Sequence, residues 1–129
     1  MPELYLHSDL TEAIIKCYYK VYNKLGYGFL EKVYENALII ELKKEGFRCL
    51  RQCPVDVYYE TEKVGYYIAD IIVEGKVIIE VKAAEIICEA HEAQLTNYLK
   101  ATEIEVGLLL NFGKKPALKR RVFSSAYKS

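Results

Sequence analysis

The feature that most constrains this chain is a pair of apolar segments, Val64–Val73 and Val77–Lys82, separated only by Glu74-Gly75-Lys76. Both are rich in β-branched residues and a short polar connector joins them, so they read as a hairpin. Neither alternates cleanly between apolar and polar. Strands of that kind need cover on both faces, which calls for a sheet between helices. Three charges interrupt the run: Asp70, Glu80 and Lys82. A charge on a doubly covered strand is costly and needs a reason.

Register decides whether the three meet. Residues two apart on a strand share a face, so Glu80 and Lys82 point the same way. A two-residue loop at Glu74-Gly75 would set Asp70 opposite Ile79 and turn Glu80 away. A three-residue loop through Lys76 pairs Val73 with Val77 and Asp70 with Glu80. Gly75 in the left-handed conformation suits the longer loop, which is the predicted register. Adjacent carboxylates in an apolar sheet repel each other and lose hydration. A divalent cation with hard oxygen ligands, Mg2+ or Mn2+, relieves both costs. A lysine beside them can hold a water and offset charge on a phosphoryl oxygen, as metal-assisted phosphodiester hydrolysis requires. The plain alternative is a buried salt bridge of Lys82 with Glu80 or Asp70.

Around the hairpin the pattern is helical. Ser8–Glu12 reads as a helix start with Asp9 and Glu12 spaced as a capping box. Leu10, Ile14, Cys17, Tyr18, Val21 and Leu25 then recur at helical spacing up to Gly26. A second helix is expected from about Leu30 to Glu45, with Val33, Ala37, Leu38 and Leu42 inward and Gly46 as its stop. Phe47–Tyr59 is β-forming, and Pro54 means that the strand is an edge or begins there. A third helix spans about Glu89–Ala101, a strand Glu105–Asn111, and a last short strand lies around Arg121–Phe123.

With 129 residues, 52% of them hydrophobic, the chain suits one domain with a full core. The 18 basic and 18 acidic residues cancel, which argues against avid nonspecific nucleic-acid binding, although Lys114–Lys128 is a local basic strip. No apolar run approaches the roughly 18 residues of a membrane span, and Met1–Tyr5 does not look like a signal peptide. A cytoplasmic protein with reduced cysteines and no membrane partner is expected. Cys49, Cys53, Cys88 and His91 have the count for zinc, but their spacings are loose and no compact knuckle surrounds them.

Asp70 followed by Glu80-Val81-Lys82 resembles the D…E-x-K core of the PD-(D/E)XK nuclease superfamily, with alanine before the aspartate. Gly28-Phe29-Leu30-Glu31-Lys32-Val33-Tyr34 is similar to the motif that names its GxxExxY branch. Tyr67-Ile68-Ala69-Asp70, His91-Glu92-Ala93-Gln94-Leu95, Tyr98-Leu99-Lys100 and Leu110-Asn111-Phe112-Gly113 extend the resemblance in order. The resemblance implies an α/β, restriction-endonuclease-like domain over 1–129, with a central mixed β-sheet flanked by helices. It implies Asp70 and Glu80 as metal ligands, helped by the backbone carbonyl of Val81, with Lys82 serving the attacking water. Glu31 looks like the superfamily's further acidic residue, assisting metal and catalysis directly or through water. Gln94 and Tyr98, four apart on one helix face, look like the Gln-x-x-x-Tyr element that lines the site and the DNA path. Tyr34 and His91 join them as expected substrate contacts. The implied partner is nucleic acid, DNA before RNA. The rival reading is a catalytically silent module that keeps the fold and binds nucleic acid or protein. A homodimer or a larger protein partner is also open, with Tyr18, Tyr19 and Tyr22 as an interface.

Overall fold

The computed structural model describes residues 6–124; Met1–Tyr5 and the Lys128 end of the basic strip lie outside the described residues. In chain order the elements are α1 (Ser8–Leu25), α2 (Glu31–Lys44), β1 (Cys49–Tyr59), β2 (Glu62–Val73), β3 (Val77–Lys82), α3 (Glu89–Lys100), β4 (Val106–Phe112) and β5 (Pro116–Val122). The strands form one sheet in the order β1-β2-β3-β4-β5. β3 and β4 run parallel, joined by the α3 crossover, and the other neighbours are antiparallel. The sheet is therefore mixed and covered by helices, as expected.

Both faces of the sheet centre are covered. Every residue of β4, and every residue of β3 except half-buried Lys82, is buried. Val77, Ile79 and Val81 of β3 pack with Ile14 and Tyr18 of α1 and Leu38 and Leu42 of α2. Ile78 packs on the opposite side with Leu95, Tyr98 and Leu99 of α3. There α3 lies so close that a Cβ on Gly107 would come within 2.6 Å of Leu95 Cδ1.

The hairpin takes the three-residue register. Val73 pairs with Val77, Ile72 with Ile78 and Ile71 with Ile79. Lys76 N–H closes the turn on Val73 C=O at 2.9 Å, with Gly75 at φ 64. The paired ladder stops at Ile71, one residue before Asp70.

Three expectations are corrected. The α1 capping box is not made: the cap is His7, at φ 54 without a side-chain bond, and Asp9 falls inside the first turn. The inward face of α2 is rotated. Val33 is exposed, and Tyr34, Glu35 and Glu41 are buried with Leu38 and Leu42. Polar partners explain this, since Glu41 meets Lys20 at 3.1 Å and Glu35 accepts from Gln52 Nε2 at 2.8 Å. The last strand is longer and earlier than expected, because its backbone pairs with β4 along its whole length, from Pro116 opposite Phe112 to Val122 opposite Val106. The tyrosine face of α1 is also mostly spent inside the fold. Tyr18 is fully buried. Tyr22 Oη donates to the carbonyls of Gly113 and Lys114, each at 2.7 Å. Tyr19 alone of the three is exposed.

Candidate active site

The site is built where the β2–β3 ladder opens. Beyond the Ile71–Ile79 pair, Val81 N–H donates to Asp70 Oδ2 at 2.8 Å instead of to a backbone carbonyl. The aspartate thus takes the place of a ladder partner, which fixes its carboxylate against β3. A local roll of the strands makes room for it. Tyr67 and Ala69 face the α3 layer while Ile71 and Val73 face α1 and α2, so the alternation of β2 slips at Asp70. Across from it Gln52 of β1 has φ 49, and the facing of β1 also changes between Cys49 and Cys53.

Glu80 lies beside Asp70, 3% exposed. Its carboxyl is pushed up to about 9, first by burial and then by the charge of Asp70 and a hydrogen bond shared with it; Lys82 acts weakly in the opposite sense. Burial and the neighbouring charge thus favour the neutral form of Glu80 at neutral pH. Glu80 Oε1 is buried without a hydrogen-bond partner. Among the described residues no ion pair joins Lys82 to either carboxylate, so the buried salt bridge is not formed. An orphaned carboxylate oxygen and a second acid beside it fit a hard divalent cation, which would offset the cost of burying the charged form of Glu80.

Tyr98 and Gln94 stand over this pair from α3. Gln94 Nε2 donates to Tyr98 Oη at 3.0 Å. The Tyr98 hydroxyl is held well above the usual phenol range, first by burial and then by the charges of Glu80 and Asp70. Tyr98 is thus electrostatically coupled to the carboxylates. Tyr67 of β2 packs edge-on against it, centroids 4.7 Å apart. Sequence reasoning had no role for Tyr67. Its place three residues before Asp70, in Tyr67-Ile68-Ala69-Asp70, was the one signal, but only the change of facing along β2 sets it against α3.

The remaining expected residues lie elsewhere. Glu31 opens α2 and is exposed. Among the described residues no three His, Cys, Asp or Glu side chains gather as a metal-binding set, so Glu31 does not join Asp70 and Glu80 directly. The buried acids of α2 are Glu35, which ties the helix to Gln52, and Glu41, which meets Lys20. His91 has a local job: its Nδ1 accepts from Cys88 N–H at 3.3 Å and caps α3. Tyr34 is corrected as a substrate contact, because it is completely buried. Its hydroxyl donates to Gly26 C=O at 2.7 Å and accepts from Phe29 N–H at 3.1 Å. Asn111, not singled out from the sequence, is buried and grips Ala84 through both amide atoms at 2.9 Å. It fixes the chain just past Lys82.

Comparison with known proteins agrees with this architecture. No curated protein sequence matches the chain. A crystal structure described as SSO0001 superposes with a TM-score of 0.57 at 18% identity, covering 96% of this chain and 63% of that one. The chain spans less than two thirds of that structure's length, and the likeness is one of fold. The family model of the PD-(D/E)XK nuclease superfamily matches residues 8–122. With that match over most of its length, the chain belongs to the PD-(D/E)XK nuclease superfamily.

Proposed function

We propose that this chain is a divalent-metal-dependent nuclease that hydrolyses phosphodiester bonds of nucleic acid, DNA before RNA. The observation that carries the reading is the buried Glu80, one oxygen of which has no hydrogen-bond partner among the described residues, lying against Asp70 and beside a Lys82 that bridges to neither. A structural pair of this kind destabilises the fold, and a cation gives it a use. Asp70 and Glu80 would hold Mg2+ or Mn2+, with the Val81 carbonyl as a further ligand and Glu31 acting through water. A bound ion supplies Lewis-acid polarisation of the phosphoryl oxygen and an acidified water.

The chain's own residues do the rest. Asp70 stays fixed because Val81 N–H holds one of its oxygens. Lys82 orients a water and offsets charge on the phosphoryl oxygens. Gln94 holds the Tyr98 hydroxyl oxygen, leaving its proton free to face the carboxylates. His91 would touch substrate only from the start of α3. Membership of the GxxExxY branch, one domain over 1–129 and a cytoplasmic location belong to the same proposal. No helix among the described residues is long and apolar enough to cross a membrane.

The test is cleavage of single- and double-stranded DNA and RNA with Mn2+, using Asp70→Ala and Lys82→Ala as controls. Each substitution is expected to lower the rate by roughly 10²–10⁴-fold, the range for losing a positioned acid–base group. Cleavage surviving both would overturn the assignment. Mn2+ binding with no cleavage of any substrate would favour the silent module.

A further inference from the structure

The loop between α1 and α2 shows three large apolar side chains to solvent: Tyr27 is 57%, Phe29 47% and Leu30 80% exposed. They are not on a slack segment. Gly26 and Gly28 hold φ 68 and 107, which side-chain-bearing residues rarely adopt, and space at both positions is open. Backbone shape, not crowding, therefore requires glycine there. Tyr34 ties the two ends of this turn through its hydroxyl, and its ring stacks on Phe112 with centroids 4.2 Å apart.

These side chains form one wall of a groove of about 390 Å³ whose other walls are Ala83, Ala84 and Glu85 after β3, and Gly113 and Lys114 after β4. Each wall is pinned by a side chain bonding to backbone. Tyr34 fixes the first, Asn111 the second through Ala84, and Tyr22 the third through Gly113 and Lys114. A rigid groove with exposed aromatic residues loses little freedom when it is filled. It also begins one residue beyond Lys82, a step of about 3.3 Å along an extended chain.

We propose that this groove binds an unpaired nucleobase next to the scissile phosphate, so that the substrate is single-stranded or locally unpaired nucleic acid. The inference rests on the nuclease reading and deepens it. Tyr27 and Phe29 offer ring faces and edges to a base, Glu85 an acceptor for its N–H groups, and Lys114 a cation for the adjoining phosphate. A base inside a duplex has both faces covered by its neighbours and cannot use such a wall. Tyr34 is the positioning residue that keeps the wall in shape.

The test is fluorescence anisotropy of the full chain with labelled single-stranded and duplex DNA and single-stranded RNA, in EDTA so that cleavage plays no part. The wild type is expected to prefer single strands. Tyr27→Ala combined with Phe29→Ala should weaken single-strand binding on the order of tenfold to a hundredfold, matching loss of base stacking, and leave duplex binding unchanged. Tyr27→Phe should bind as the wild type does. Lys114→Ala, at an exposed position that leaves folding intact, should flatten the salt dependence by about 0.7 in log–log slope, one single-strand phosphate contact. Equal binding by wild type and the double variant, preference for duplex, or no nucleic-acid binding would each overturn the proposal. So would self-association that the double variant abolishes, since a second copy would then fill the groove. Failure of the nuclease reading shows separately, as groove-dependent binding without Mn2+-dependent cleavage.

Discussion

The two faces of β3 are built to different ends. On one, Val77, Ile79 and Val81 meet α1 and α2 in a layer where buried tyrosines bond to backbone. On the other, Ile78 is followed by Glu80 and Lys82 under α3, where a buried acid keeps an unused oxygen. Among the described residues, no buried side-chain nitrogen or oxygen on the first face lacks a hydrogen-bond partner, whereas Glu80 Oε1 on the second does. On the proposed reading, such a violation in so short a strand is where stability is given up for chemistry.

Substitutions can break the contrast. Ile79→Ala removes a fully buried side chain from the structural face. It should lower unfolding free energy by about 2–5 kcal/mol in urea titrations and leave Mn2+ affinity of the folded protein unaltered. A loss of metal affinity as large as the loss of stability would mean the two faces are not separable.

Glu80→Gln should act in the opposite sense. The folded carboxyl titrates at about 9, against an ordinary 4.5. Between those values the folded protein keeps a proton that the unfolded chain releases, so metal-free stability falls as pH rises through this window. Every tenfold difference in proton affinity between the two states is worth about 1.4 kcal/mol, and the slope should be visible as a falling Tm in EDTA from pH 5 to 9. Glutamine has no proton to lose there, so the variant's curve should be flat and cross above the wild type's at high pH. Mn2+ should raise the wild-type Tm at pH 8 and not the variant's. Parallel curves would show that the Glu80 carboxyl is not held neutral by the fold.

Tyr34→Phe probes the structural face at its rim. It leaves Gly26 C=O and Phe29 N–H without their partner, a cost of about 1–3 kcal/mol. Ring stacking on Phe112 survives in the variant, so the core should stay packed while the Gly26–Leu30 loop loosens. Faster amide exchange confined to that loop would confirm it; exchange spread through α2 would make Tyr34 a core residue and nothing more.

What the sequence revealed followed the same divide. The hairpin register was legible because loop length alone sets it, and Asp70, Glu80 and Lys82 stood out because charges are conspicuous in apolar strands. The rotated face of α2 was hidden, since Glu35 and Glu41 are buried only by virtue of Gln52 and Lys20 on other elements. The same holds for β5, whose run of basic residues masks a strand that exists through its pairing with β4. Within the site, helical spacing put Gln94 and Tyr98 on one face, and the resemblance to the Gln-x-x-x-Tyr element gave them their expected role. Tyr67 was not: strand alternation places it by parity, and the slip at Asp70 changes that parity. Tyr34 was noticed for its motif, yet its hydroxyl serves the loop, a role visible only when Gly26 and Phe29 converge on it.

The smallest expected effect on stability belongs to Gln94→Ala. Gln94 is half-buried, and its amide makes one bond, at 3.0 Å, to a hydroxyl that packing already holds. Losing it should cost about 0.5–1.5 kcal/mol, less than the other substitutions. The effect on cleavage should be larger than that on stability. Without the amide donor the Tyr98 hydroxyl can turn from the carboxylates, and the pair loses the group that faces its charge. A kcat lowered about tenfold with KM little changed would place Gln94 among the residues that position the site. A rise in KM alone would move it to the substrate path. Unchanged kinetics alongside the small loss of stability would make the amide part of the packing of α3, and would narrow the candidate site to Asp70 on β2 and Glu80 and Lys82 on β3.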